Sequence, residues 1–122
     1  MKKIFVPALF LALLTTAAEA ASIRIVNLTG TQLRIADLHD LCGGTPVPRD
    51  TPVYLEDKEE FVAQDISLVM HHYRVCASGM CLYSPLGIKE DREYVLEVFL
   101  DDAGVVDSRP LPDHWVGNDT CQ

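Results

Sequence analysis

From residue 22 onward, apolar residues recur at every second position in short runs, and glycine, proline or paired acids cut those runs about every eight to twelve residues. No helical apolar stripe of useful length runs through this part of the chain. The pattern predicts an all-β fold, a small antiparallel β-sandwich of the Ig-like or small-barrel kind. SIRIVNL (22–28) sets Ile23, Ile25 and Asn27 on one face and Arg24, Val26 and Leu28 on the other. Thr29-Gly30 then signals a turn, and Leu33, Ile35, Ala36 and Leu38 resume an apolar spacing, which reads as a β-hairpin. EYVLEVFL (93–100) is the clearest strand, followed by the turn Asp101-Asp102-Ala103-Gly104 and a return at Val105-Val106.

Elsewhere punctuation dominates. HDLCGGTPVPRDTP (39–52) holds two glycines and three prolines and reads as a loop with room for one extended segment. Val53-Tyr54-Leu55, Phe61-Val62, Ile66 to Val75 and Met80 to Tyr83 supply further β-rich pieces, with Pro85 and Gly87 as breaks. The tail from Arg109 onward reads as irregular.

The first twenty residues are of another kind. Lys2 and Lys3 precede the apolar run Ile4 to Leu14, and Ala18-Glu19-Ala20 offers small residues at the positions a signal peptidase accepts. The run falls short of the roughly 20 residues of a membrane span. Residues 1–20 are therefore expected to be a signal peptide cleaved after Ala20. Residues 21–122 would form a single domain, placed in the periplasm or secreted, with no stable membrane insertion.

Taking Lys2, Lys3 and Glu19 away from the 10 basic and 18 acidic residues leaves 8 and 17, a formal charge of −9. Such a surface repels phosphate backbones and argues against nucleic acid as a partner. It suits another exported or envelope protein with a basic surface.

Four cysteines in an exported domain of this size read as two disulfides. Three pairings are possible in principle. Cys76 with Cys81 is the local one, since Ser78-Gly79 between them can turn a hairpin, and it leaves Cys42 with Cys121. The spacing is not the Cys-x-x-Cys of thioredoxin-like oxidoreductases, so a structural staple is expected.

The most chemically loaded run is MHHYRVCASGMC (70–81). On a strand, adjacent His71 and His72 point to opposite faces, so they cannot share one ion. Met70, His72 and Met80 could gather as a soft thioether and imidazole set for copper if the hairpin returned beside itself. That is the alternative reading, against core methionines and half-exposed histidines. Nothing calls for a cofactor, and no Gly-x-Ser-x-Gly or paired-carboxylate constellation points to an enzyme. Asn27-Leu28-Thr29 satisfies the glycosylation sequon.

The expectation is a non-enzymatic exported interaction module, such as an accessory subunit, an inhibitor or an immunity-type protein. Its contacts are expected from the proline-bearing loops 43–52 and 109–117, through Pro46, Pro48, His114 and Trp115.

Overall fold

The computed structural model describes residues 21–112. Eight strands follow one another: β1 (Ala21–Leu28), β2 (Leu33–Asp40), β3 (Val53–Leu55), β4 (Glu60–Ile66), β5 (Met70–Ala77), β6 (Met80–Gly87), β7 (Glu93–Leu100) and β8 (Val106–Leu111). They form two four-stranded sheets, in the orders β4-β1-β7-β8 and β3-β2-β5-β6. Among the described residues there is no helix.

The all-β expectation holds, but the sheets are not purely antiparallel. β1 runs parallel to β7, with Ile23 beside Tyr94 and Ile25 beside Leu96, and antiparallel to β4. β1 is thus a central strand, and its alternation has the expected phase: Ala21, Ile23, Ile25 and Asn27 are buried. Ile23, Ile25, Val98 and Leu96 of the first sheet share one core with Leu33, Ile35, Leu38 and Val75 of the second. Burying each such side chain contributes about 1.5–3 kcal/mol.

The hairpin expected at Thr29-Gly30 is not formed. The turn exists, with Gly30 at φ +80°, but β1 and β2 lie in different sheets. Asn27 accounts for the crossing. Its fully buried side chain donates to the carbonyls of Thr31 (2.7 Å) and Leu55 (3.1 Å), and its Oδ1 accepts from the Thr29 N–H (2.9 Å). These bonds bend the chain out of the first sheet and into the second. Because Asn27 is buried, its sequon offers no accessible amide.

The uneven spacing of Leu33, Ile35, Ala36 and Leu38 also has a local cause. The β2–β5 register shifts between Ile35 and Asp37, so Ala36 is an inserted bulge residue. The bulge lets Leu33, Ile35 and Leu38 all reach the core and turns Asp37 and His39 to the outer face.

Two prolines interrupt less than expected. β6 continues through Pro85 and β8 through Pro110, each on the edge of its sheet, where a missing N–H costs no ladder bond. Arg109 to Leu111 therefore belong to a strand, and only the rest of the expected 109–117 loop lies beyond it. The two hairpins β5–β6 and β7–β8 fall where the turn residues place them. At the first, Ser78 and Gly79 take φ of 52° and 78°, the paired positive values of a type I′ turn. At the second, Asp101 Oδ1 accepts from the N–H groups of Ala103 and Val105, both at 2.9 Å.

Candidate functional site

The outer face of the second sheet is built from transverse rows, because β3, β2, β5 and β6 pair in register. One row runs Tyr54, Arg34, Cys76, Cys81; the next runs Asp37, Arg74, Tyr83; a third runs His39, His72, Pro85. The chemistry of the face follows from these neighbours.

In the first row the Cys76–Cys81 disulfide joins directly opposed residues, so the expected staple is present. Arg34 donates through Nη2 to Cys76 Sγ at 3.3 Å. Tyr54 stands exposed at the other end.

The second and third rows meet in a ring ladder. The rings of His39 and His72 stack with centroids 5.6 Å apart, and those of His72 and Tyr83 stack at 5.8 Å. The Arg74 guanidinium lies 5.5 Å over Tyr83. Asp37, with a side chain 5% exposed, places Oδ1 3.3 Å from His39 Nδ1. Its Oδ2 sits 4.0 Å from both Arg49 and Arg74, which is charge contact beyond hydrogen-bond reach. Arginines of the opposite sheet are held more closely: Glu93 and Glu60 clasp Arg24, and Arg109 reaches Glu97 at 2.6 Å.

Loop 41–52 runs along the edge of β2 beyond the stretch that β3 covers, and borders this face through Arg49. Its residues are largely exposed, yet it is tied at several points. Asp40 Oδ1 accepts from the N–H groups of Cys42 (2.8 Å) and Gly44 (2.7 Å). Val47 is fully buried and exchanges backbone hydrogen bonds with Leu38 at 3.0 and 3.2 Å. Pro46 and Pro48 flank this anchor and are thereby held near the surface. An open cleft of about 350 Å³ lies between loop and sheet, lined by Asp37, His39, Asp40, Gly43, Thr45 and Arg49.

His71 behaves differently from its neighbour. It points into the protein, fully buried, with Nε2 2.8 Å from the Ser67 carbonyl and no hydrogen-bond partner on Nδ1. Burial pushes its pKa below 6.5, outweighing the Ser67 contact and the charge of Asp40.

The proposed copper set is not brought together. Met70 and His72 share the outer face of β5, but Met80 pairs with Ala77 at the far end of the hairpin. That is five residues from His72, about 16 Å along the strand. Among the described residues no three His, Cys, Asp or Glu side chains are placed to hold a metal ion. His114, Trp115 and Cys121 lie outside the described residues, and with them the pairing expected of Cys42. No helix among the described residues is long and apolar enough to cross a membrane.

Sequence reasoning missed Asp37, His39, Arg34 and Tyr83 as parts of one face. The bulge at Ala36 and the pairing of β2 with β5 create that face, and neither is marked by a local motif. No family model matches the chain, and no curated protein matches it.

Proposed function

We propose that this chain is an exported, non-enzymatic protein-interaction module whose contact surface is loop 41–52 with the adjoining ring ladder. The observation that carries this reading is the order of an exposed loop. Asp40 and the buried Val47 hold it in place, so little conformational entropy remains to be lost on docking. Arg49 and Arg74 and the exposed Tyr54 and Tyr83 are of the residue types that dominate binding energy at interfaces.

Residues 1–20 would direct export and be removed after Ala20, placing residues 21–122 in the periplasm or outside the cell. A bridge between Cys42 and Cys121 would close a long loop and contribute roughly 4 kcal/mol, while fixing the start of the contact loop. It would also bring the segment carrying His114 and Trp115 toward that loop. The partner is another exported protein, and the formal charge of −9 favours one with a basic surface.

A photo-crosslinking amino acid at Thr45 or Arg49, compared with one at Asp107 on the opposite sheet, tests the assignment in the producing cell. A discrete adduct from the two loop positions alone supports it. Adducts from all three positions, or from none, overturn it.

A further inference from the structure

We propose that the Cys76–Cys81 bridge is a thiol–disulfide exchange site, attacked at Cys81 by a dithiol reductant, with Cys76 leaving beside Arg34. This inference stands apart from the interaction reading and does not need it.

Three observations carry it. The two sulfurs are unequal in access: Cys81 is exposed, whereas Cys76 is only 7% exposed. They are unequal in surroundings, since the Arg34 guanidinium lies 3.3 Å from Cys76 Sγ. A cation there stabilises a thiolate and makes Cys76 the better leaving group. The third is direction. Attack on a disulfide proceeds in line with the S–S bond, from behind the sulfur attacked. β6 is the edge strand of its sheet, so Cys81 can be approached past that edge, while Cys76, on β5, has β2 and Arg34 on its far side.

The steps balance. A reductant thiolate forms a bond to Cys81 Sγ as the Cys76–Cys81 bond breaks, and the electron pair passes to Cys76 as a thiolate beside Arg34. The reductant's second thiol, deprotonated, then attacks its own sulfur in the mixed disulfide and releases the Cys81 thiolate. The dithiol leaves as a disulfide, the chain gains two electrons, and the two protons given up by the reductant are available to Cys76 and Cys81. β5 keeps its pairing with β2 throughout, so the hairpin tip and edge strand are freed without loss of the core.

The test uses the purified chain under native conditions at pH 7. Glutathione, a monothiol, should trap its mixed disulfide on Cys81, located by peptide mass spectrometry. Dithiothreitol should open the bridge while circular dichroism stays native. Arg34→Gln should slow that opening several-fold, and Arg34→Lys should restore most of the rate, which a merely structural role for Arg34 would not predict. Adducts chiefly on Cys76, rates indifferent to Arg34→Gln, or opening only under denaturing conditions would each overturn the proposal. If Arg34→Gln fails to fold, adduct mapping on the unaltered chain and the rate of Arg34→Lys still decide it.

Discussion

The side-chain amide of Asn27, at the end of a central strand of one sheet, donates to the carbonyl of Leu55 on an edge strand of the other, at 3.1 Å. The same amide holds the Thr31 carbonyl in the turn between the sheets. Asn27→Ala leaves the Leu55 carbonyl and the Thr29 N–H without this partner inside the protein, while the Thr31 carbonyl keeps the Thr29 hydroxyl at 2.9 Å. Unmet buried groups cost about 1–3 kcal/mol each, with partial relief by relaxation. The substitution should lower unfolding free energy by about 3 kcal/mol, measured by urea denaturation.

His71 makes stability depend on pH with a definite sign. Its folded pKa is depressed below 6.5, so the unfolded chain takes up its proton first as pH falls. The contribution is complete above about pH 6.5 and is lost progressively as the solution is acidified from there. Asp40 opposes the loss, and His39 and His72 add to it. Thermal melts of the unaltered chain and His71→Gln between pH 7.5 and 5 should converge on acidification. Parallel curves would remove His71 as the cause.

Gly44 tests the anchoring of loop 41–52. A Cβ built there would stand 2.5 Å from Asp40 Oδ2, and the Asp40 residue is 7% exposed with little room to yield. Gly44→Ala should displace the carboxylate from the Cys42 and Gly44 amides and cost about 1–3 kcal/mol, the usual penalty for overpacking. Hydrogen exchange at those two amides should accelerate while β7 amides retain their protection.

The type I′ turn at Ser78-Gly79 predicts a gain. Asn is favoured over Ser at the first central position, where φ is +52°. Ser78→Asn should raise stability by about 0.5 kcal/mol, within the range of turn optimisation. Gly79→Ala, at φ +78°, should lower it. The two melting temperatures should move in opposite directions.

What could be read from the sequence was what depends on near neighbours. The alternation of β1, the β7–β8 hairpin and the Cys76–Cys81 staple each follow from fewer than twenty consecutive residues. A turn signal such as Thr29-Gly30 fixes a bend but not the sheet that receives the next strand, so the crossing made by Asn27 looked like a hairpin. Pro85 and Pro110 read as breaks because their tolerance depends on edge positions, which only strand order reveals. The rows on the second sheet are further removed still. Arg34 meets Cys76 across 42 positions of sequence, and no local spacing announces that contact.

The parallel pairing of β1 with β7 bears on how the chain comes to be folded. β1 is the first strand among the described residues, yet it lies inside its sheet, and one of its two neighbours spans Glu93–Leu100. A chain emerging from its N-terminus can pair Ile23 and Ile25 with β4 early, but must leave their β7 side open until Tyr94 and Leu96 have appeared. Such long-range closure slows folding. If the chain is exported as proposed, that delay keeps the β7 side of β1 unpaired until Glu93–Leu100 have been made.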